Sequence, residues 1–161
     1  MNTHKTPLKV TGRSLTAACL IGAALTVAPA AAAAPDYVAC SVRRLADNKI
    51  PKPYYLAGSP PSVSAEIVVE CGPRNPDTAD FRLTIWKRDS QGNFYRQAEN
   101  FYHMVGNFAS TIPMNVNGAC REPGPADTVK WYHLEVHGVV YANGLRNENT
   151  VNSDDQVLPD C

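Results

Sequence analysis

Surplus charge is the first thing missing. The 161-residue chain carries 15 basic and 15 acidic groups, which sum to zero at neutral pH. It therefore lacks the long-range attraction to phosphates on which nucleic-acid binders depend, and no nucleic-acid partner is expected. Catalytic signatures are missing as well: there is no Gly-x-Ser-x-Gly elbow, no Ser-x-x-Lys and no glycine loop that would cradle a phosphate. No Cys-x-x-Cys occurs, which removes the paired thiolate ligands of common zinc sites. After residue 34 there is no repeat, linker or low-complexity tract. Charged residues at 19% against 44% hydrophobic ones suit a folded chain, and the length suits one ordinary domain.

What is present begins with an address. Residues 1–13 hold Lys5, Lys9 and Arg13 and no acid; an uncharged run from Ser14 to Ala34 follows, with its apolar part at Leu15–Val27 and a close at Pro29 and Ala30–Ala34. Basic start, short apolar middle and small-residue end read as a secretory signal peptide, cut between Ala33 and Ala34 so that Pro35 does not directly follow the scissile bond. An uncleaved anchor suits the length of Ser14–Ala34, which could just span a bilayer, but not its alanine richness and proline break. A lipid-modified Cys19 is disfavoured by Thr16 and by the apolar residues that continue beyond it. The expected organisation is a signal peptide over 1–33 and a single secreted domain over 34–161, with no integral membrane segment after cleavage and 15 acids remaining against 12 bases.

Cys40, Cys71, Cys120 and Cys161 survive that cut. An even number in an oxidising compartment implies two disulfides, and three pairings are open. The two local closures, Cys40–Cys71 and Cys120–Cys161, are preferred, and the second would fasten a terminus that otherwise frays. Each closes a loop for which the chain-entropy account gives about 3–4 kcal/mol.

The hydrophobic period after the signal is two. Val63, Ala65, Ile67, Val69 and Cys71 share one face of a strand, and Phe81, Leu83 and Ile85 share one face of the next. Asp89–Asn93 supplies a glycine-containing loop, with Phe94–Ala98 returning as the hairpin partner. Further strands are expected near Phe101–Val105, Phe108–Val116 and Thr128–Tyr141. Asn143-Gly144 then forms a tight turn, and Asn149–Leu158 pairs back. Only Ser41–Lys49 reads as a short helix. Ile50–Ser62, with Pro51, Pro53, Pro60 and Pro61, reads as an extended connector over a sheet edge. About seven strands indicate an all-β fold, an antiparallel immunoglobulin-like β-sandwich.

Cys71 followed by Trp86 resembles the start of an immunoglobulin-type core. The pattern departs where Cys120 precedes the main late strand, so an inter-sheet bridge of the immunoglobulin kind is not expected, and alternation points Trp86 outward. The stretch from Cys120 to Cys161 is similar to small secreted two-disulfide proteins of actinobacteria, in which a late cysteine opens a hairpin and a terminal one closes it. That resemblance implies location and fold and transfers no site residue.

Candidate chemistry is sparse. His133 and His137 are four apart, which on a helix suits zinc. On a strand the same spacing separates them by about 13 Å, so no metal site is assigned. Glu66 and Glu70 are separated in the same way, beyond the roughly 5–9.5 Å of glycosidase carboxylates. Asn152–Asp155 lacks the glycine and glutamate of a calcium loop. His103 sits among Phe101, Tyr102 and Met104 and reads as structural. No catalytic residue and no cofactor are assigned. Tyr54, Tyr55, Trp86, Tyr95 and Trp131 remain as surface aromatics able to stack a sugar or grip a protein. The expectation is a non-catalytic binding protein, an inhibitor or recruiter of an extracellular or envelope protein, with Ile50–Ser62 and Arg121–Asp127 as contact loops. The alternative is a module for cell-wall glycan that stacks sugars on Trp86 and Tyr95; a small hydrolase is the third reading.

Overall fold

Alternating apolar residues have one economical solution, a strand with one face in the core and one in water. The computed structural model shows that solution throughout. It describes residues 39–73, 75–106, 109–120, 130–158 and 161; the signal segment 1–33 and the loop Arg121–Asp127 lie outside them. Nine strands follow in chain order: β1 (Ala39–Val42), β2 (Tyr54–Leu56), β3 (Ser62–Gly72), β4 (Thr78–Arg88), β5 (Phe94–Val105), β6 (Thr111–Ala119), β7 (Trp131–Ala142), β8 (Leu145–Asn152) and β9 (Gln156–Val157). Among the described residues there is no helix.

Two antiparallel sheets result. In the first, β3 is central: β6 runs along one edge from Ser62↔Ala119 to Glu70↔Thr111, while β1 and β2 share the other edge. In the second the order is β5–β4–β7–β8, with β9 also pairing to β7. The inner faces meet as predicted. Val63, Ala65, Ile67 and Val69 of β3 and Met114 and Val116 of β6 pack in one buried cluster with Phe81, Leu83 and Ile85 of β4 and Tyr132, Leu134 and Val136 of β7. The chain is an antiparallel β-sandwich.

Four details correct the expectations. Ser41–Lys49 is not helical: Ser41 and Val42 finish β1 against Glu70 and Val69, and the chain then turns through Asn48, whose φ is 63°. The disulfide partner and the pairing offered by β3 override a weak local propensity. Ile50–Ser62 is more than a connector, because Ile50 is buried and Tyr54–Leu56 pairs with Ser62–Ser64. Phe94–Ala98 and Phe101–Val105 are one strand, bulged so that Gln97 falls between the pairs Trp86↔Arg96 and Ile85↔Ala98. The return after Asn143-Gly144 starts at Leu145. Its register slips once at Ser153–Asp155, where Ser153 donates its N–H to Leu134 O (2.8 Å) and accepts the Leu134 N–H on Oγ (2.9 Å). The Asn143-Gly144 turn itself has φ of 51° and 76°, both in the left-handed region that a two-residue hairpin requires.

Both disulfides close as preferred. Cys40–Cys71 joins paired residues of β1 and β3 within the first sheet. Cys120–Cys161 joins the residue after β6 to a residue four positions beyond the second sheet's last strand, so it ties sheet to sheet. The sheets are also joined through β5 and β6. Tyr102 Oη accepts the Asn115 N–H (2.8 Å) and donates to Asn115 O (2.8 Å), and Gln97 Nε2 donates to Ala119 O (2.6 Å). The approach is close enough that a Cβ on Gly118 would lie 2.7 Å from the Ala98 Cβ, so glycine is required there.

Candidate functional site: the outer face of the second sheet

Residues paired across antiparallel strands share a face, so the register writes out the surface opposite the core. At one end of the second sheet, Phe94, Arg88, Trp131 and Val157 form a row across β5, β4, β7 and β9. The next row is Arg96, Trp86 and His133, with Asp155 beside His133. Glu99, Thr84, Glu135 and Asn152 follow, then Phe101, Arg82, His137 and Thr150, then His103, Asp80, Val139 and Glu148. Both tryptophans of the chain therefore stand diagonally beside each other on an outer face rather than in the core.

Local contacts organise this face. The Arg88 guanidinium lies 5.2 Å from the centre of the Trp131 ring and also pairs with Asp155. Phe94 meets the His133 imidazole edge to face at 5.5 Å. Each of the three histidines on this face meets a carboxylate: His103 Nδ1 is 2.5 Å from Asp80, His133 Nδ1 is 3.5 Å from Asp155, and His137 Nε2 is 3.3 Å from Glu148. His137 Nδ1 also lies 3.0 Å from Thr150 Oγ1. Burial pushes the His133 imidazole below its usual range, against the upward pull of Asp155 and Glu135. Phe94, Phe101 and Val105 are left 55%, 66% and 67% exposed, which makes them prominent apolar groups of the surface. Arg82, between Phe101 and His137, is exposed and makes no hydrogen bond or ion pair among the described residues.

The predicted aromatics separate. Trp86 belongs to this face. Tyr95 does not: it pairs with the buried Lys87, on the opposite side of the sheet from Trp86. Its hydroxyl donates to Asp89 Oδ2 (3.2 Å), where Asp89 also accepts the N–H groups of Gln91 (2.9 Å) and Asn93 (2.8 Å) and the Asn93 side-chain amide (2.9 Å). Burial pushes the Asp89 carboxyl up, but these hydrogen bonds outweigh it and hold the group below the usual carboxylate range. Tyr95 is thus a structural group of the hairpin, and a shared Trp86–Tyr95 sugar platform is not formed. Tyr54 and Tyr55 lie in the first sheet, where Tyr54 donates its hydroxyl to Glu66 Oε1 (3.0 Å) and Tyr55 packs against the core.

The other candidates are tied up. Glu66 holds Tyr54 while Glu70 pairs with Arg43, so the two carboxylates serve different partners. The acidic turn at Ser153–Asp155 is met by cations from outside its own sheet: Lys49 pairs with Asp154, and Lys52 Nζ reaches Asp155 O (3.3 Å). The hydrogen bond between them holds the Lys49 ammonium above its ordinary pKa and the Asp154 carboxyl below its own. A cleft of about 300 Å³ opens between β1 and β7–β8, but its floor is the core itself, Phe81 and Val136 being 5% and 2% exposed.

Phe94, Arg88, Arg96 and the histidine–carboxylate pairing were not singled out from sequence. The signal for them is register: once β4 pairs with β5 and β7, residues far apart in the chain fall into one patch. No protein-family model matches the chain, and no curated protein matches it. No helix among the described residues is long and apolar enough to cross a membrane.

Proposed function

We propose that this is an exported, non-catalytic binding protein whose recognition surface is the outer face of the second sheet and whose partner is another extracellular or envelope protein. The observation that carries this reading is the gathering of Trp86, Trp131, Phe94, Arg88 and Arg96 at one end of that face. Tryptophan and arginine dominate the energetic centres of protein interfaces, and a folded domain gains little from leaving both its tryptophans outside the core. Two disulfides fit an oxidising compartment, which agrees with the basic, apolar, small-residue order of residues 1–33.

Hydrolysis is the weaker reading. The Thr150–His137–Glu148 contacts place hydroxyl, imidazole and carboxylate in series. Thr150, however, stands exposed on the open face, where water is not excluded. Affinity capture from culture supernatant and wall extract tests the proposal. Oxidised wild-type protein is expected to retain a specific polypeptide, and Trp86→Ala with Phe94→Ala to lose it at least ten-fold, since paired aromatic anchors are worth about 2 kcal/mol or more. Retention unchanged by the double substitution would remove the assignment, and retention on insoluble glycan instead would favour the glycan module.

A further inference from the structure

We propose that this face is an acid-switched docking surface for an acidic polypeptide, held more tightly when His103, His133 and His137 are protonated. The inference rests on the reading that the outer face of the second sheet is the recognition surface, and adds its regulation and the chemistry of its partner. Every histidine among the described residues lies on this one face. With neutral imidazoles the face carries Arg82, Arg88, Arg96 and Arg146 against Asp80, Glu99, Glu135, Glu148 and Asp155, a balance of −1. Three imidazolium charges turn this to +2, so the sign of the surface reverses across the range where histidine titrates.

Each histidine faces a carboxylate together with other groups of the neighbouring strands. His103 faces Asp80 of β4, with Arg82 one row away and the apolar Phe101 and Val105 beside it on β5. His137 faces Glu148 and Thr150 of β8, has Arg82 across it on β4 and Glu135 on its own strand, and shares Glu148 with Arg146. His133 faces Asp155, with Glu135 on its strand, Trp86 across and Arg88 diagonal on β4, and Phe94 against its ring. Burial holds the His133 imidazole below its usual range, so its charge arrives at a lower pH than on an unburied imidazole. Arg82, free of ion pairs among the described residues, sits between His103 and His137 and completes a cationic centre. Exposed Phe101 lies beside that centre on β5 and exposed Phe94 at the far end of the same strand, which suits a chain with apolar as well as acidic side chains.

The test is binding of the oxidised mature protein to immobilised poly-L-glutamate at low salt, at pH 7.5 and 5.5, where the polymer stays largely ionised. Wild type is expected to bind about ten-fold more tightly at pH 5.5. The triple variant His103→Gln, His133→Gln, His137→Gln is expected to bind equally at both, with near-UV circular dichroism unchanged at pH 7.5. If the triple variant does not fold, His103→Gln alone, at the exposed histidine, is expected to lose a measurable share of the acid response. Equal wild-type affinity at both pH values overturns the switch, as does an acid response that survives removal of the histidines. Binding to vesicles of phosphatidylglycerol but not to poly-L-glutamate overturns the assigned partner. Capture of the natural partner that depends on Trp86 and Phe94 yet ignores pH removes the switch alone; capture indifferent to both aromatics removes the surface beneath it.

Discussion

The two outer faces of the sandwich answer to the same alternation rule and yet differ. On the first sheet, β3 turns Glu66, Val68 and Glu70 outward and β6 turns Thr111, Pro113, Asn115 and Asn117 outward. Its carboxylates are occupied by Tyr54 and Arg43. On the second sheet the corresponding positions hold two tryptophans, two exposed phenylalanines, three histidines and four arginines. Core packing constrains the inward residues of both sheets alike; what points to water is free to vary. The contrast therefore separates what the fold requires from what it does not explain, and the unexplained part is concentrated on one side.

That contrast is exposed to attack in order of size. Inward substitutions should not distinguish the sheets: Ile67→Ala in β3 and Leu83→Ala in β4 each remove a buried side chain and are expected to cost about 2–5 kcal/mol in denaturant unfolding. A much smaller loss at either position would mean that the sheet concerned is not packed as described. Outward substitutions should distinguish them sharply. Trp86→Ala is expected to abolish most partner capture while changing stability by less than about 1 kcal/mol, whereas Glu66→Ala should leave capture untouched; equal effects would erase the difference between the faces. The smallest effect is a pH dependence. Because burial lowers the pKa of His133 in the folded chain, the unfolded chain binds its proton more readily, so this contribution to stability is full above about pH 6.5 and declines as pH falls toward the lowered value. The drop in melting temperature between pH 7.5 and 5.5 should shrink in His133→Gln.

The fold was legible because its determinants are local in sequence. The apolar alternation at Val63–Cys71 and Phe81–Ile85, the Asn143-Gly144 turn and the glycine at position 92 each state their own geometry. The errors fell where a distant partner decides. Ser41 and Val42 join β3 beside the Cys40–Cys71 bridge, and Tyr54–Leu56 becomes a strand only because β3 leaves half an edge open. The site was less legible for the same reason. Trp86 could be placed outward by counting, but its neighbour Arg96 comes from a strand whose register shifts at Gln97, and Asp155, beside His133, lies in the slip at Ser153–Asp155; no periodicity announces a one-residue bulge. Tyr95 misled because a tyrosine near a hairpin loop looks exposed until Asp89 claims its hydroxyl.

The phenol of Tyr102 has a consequence for contact between copies of the chain. By exchanging two hydrogen bonds with Asn115 it stands in for a peptide group, so β6 ends against a side chain where a neighbouring molecule's backbone would otherwise zip on. Fibrillar contacts start by such edge-to-edge pairing, and here an aromatic hydroxyl, with the Gln97 amide on Ala119 O, fills the slot in which they would begin.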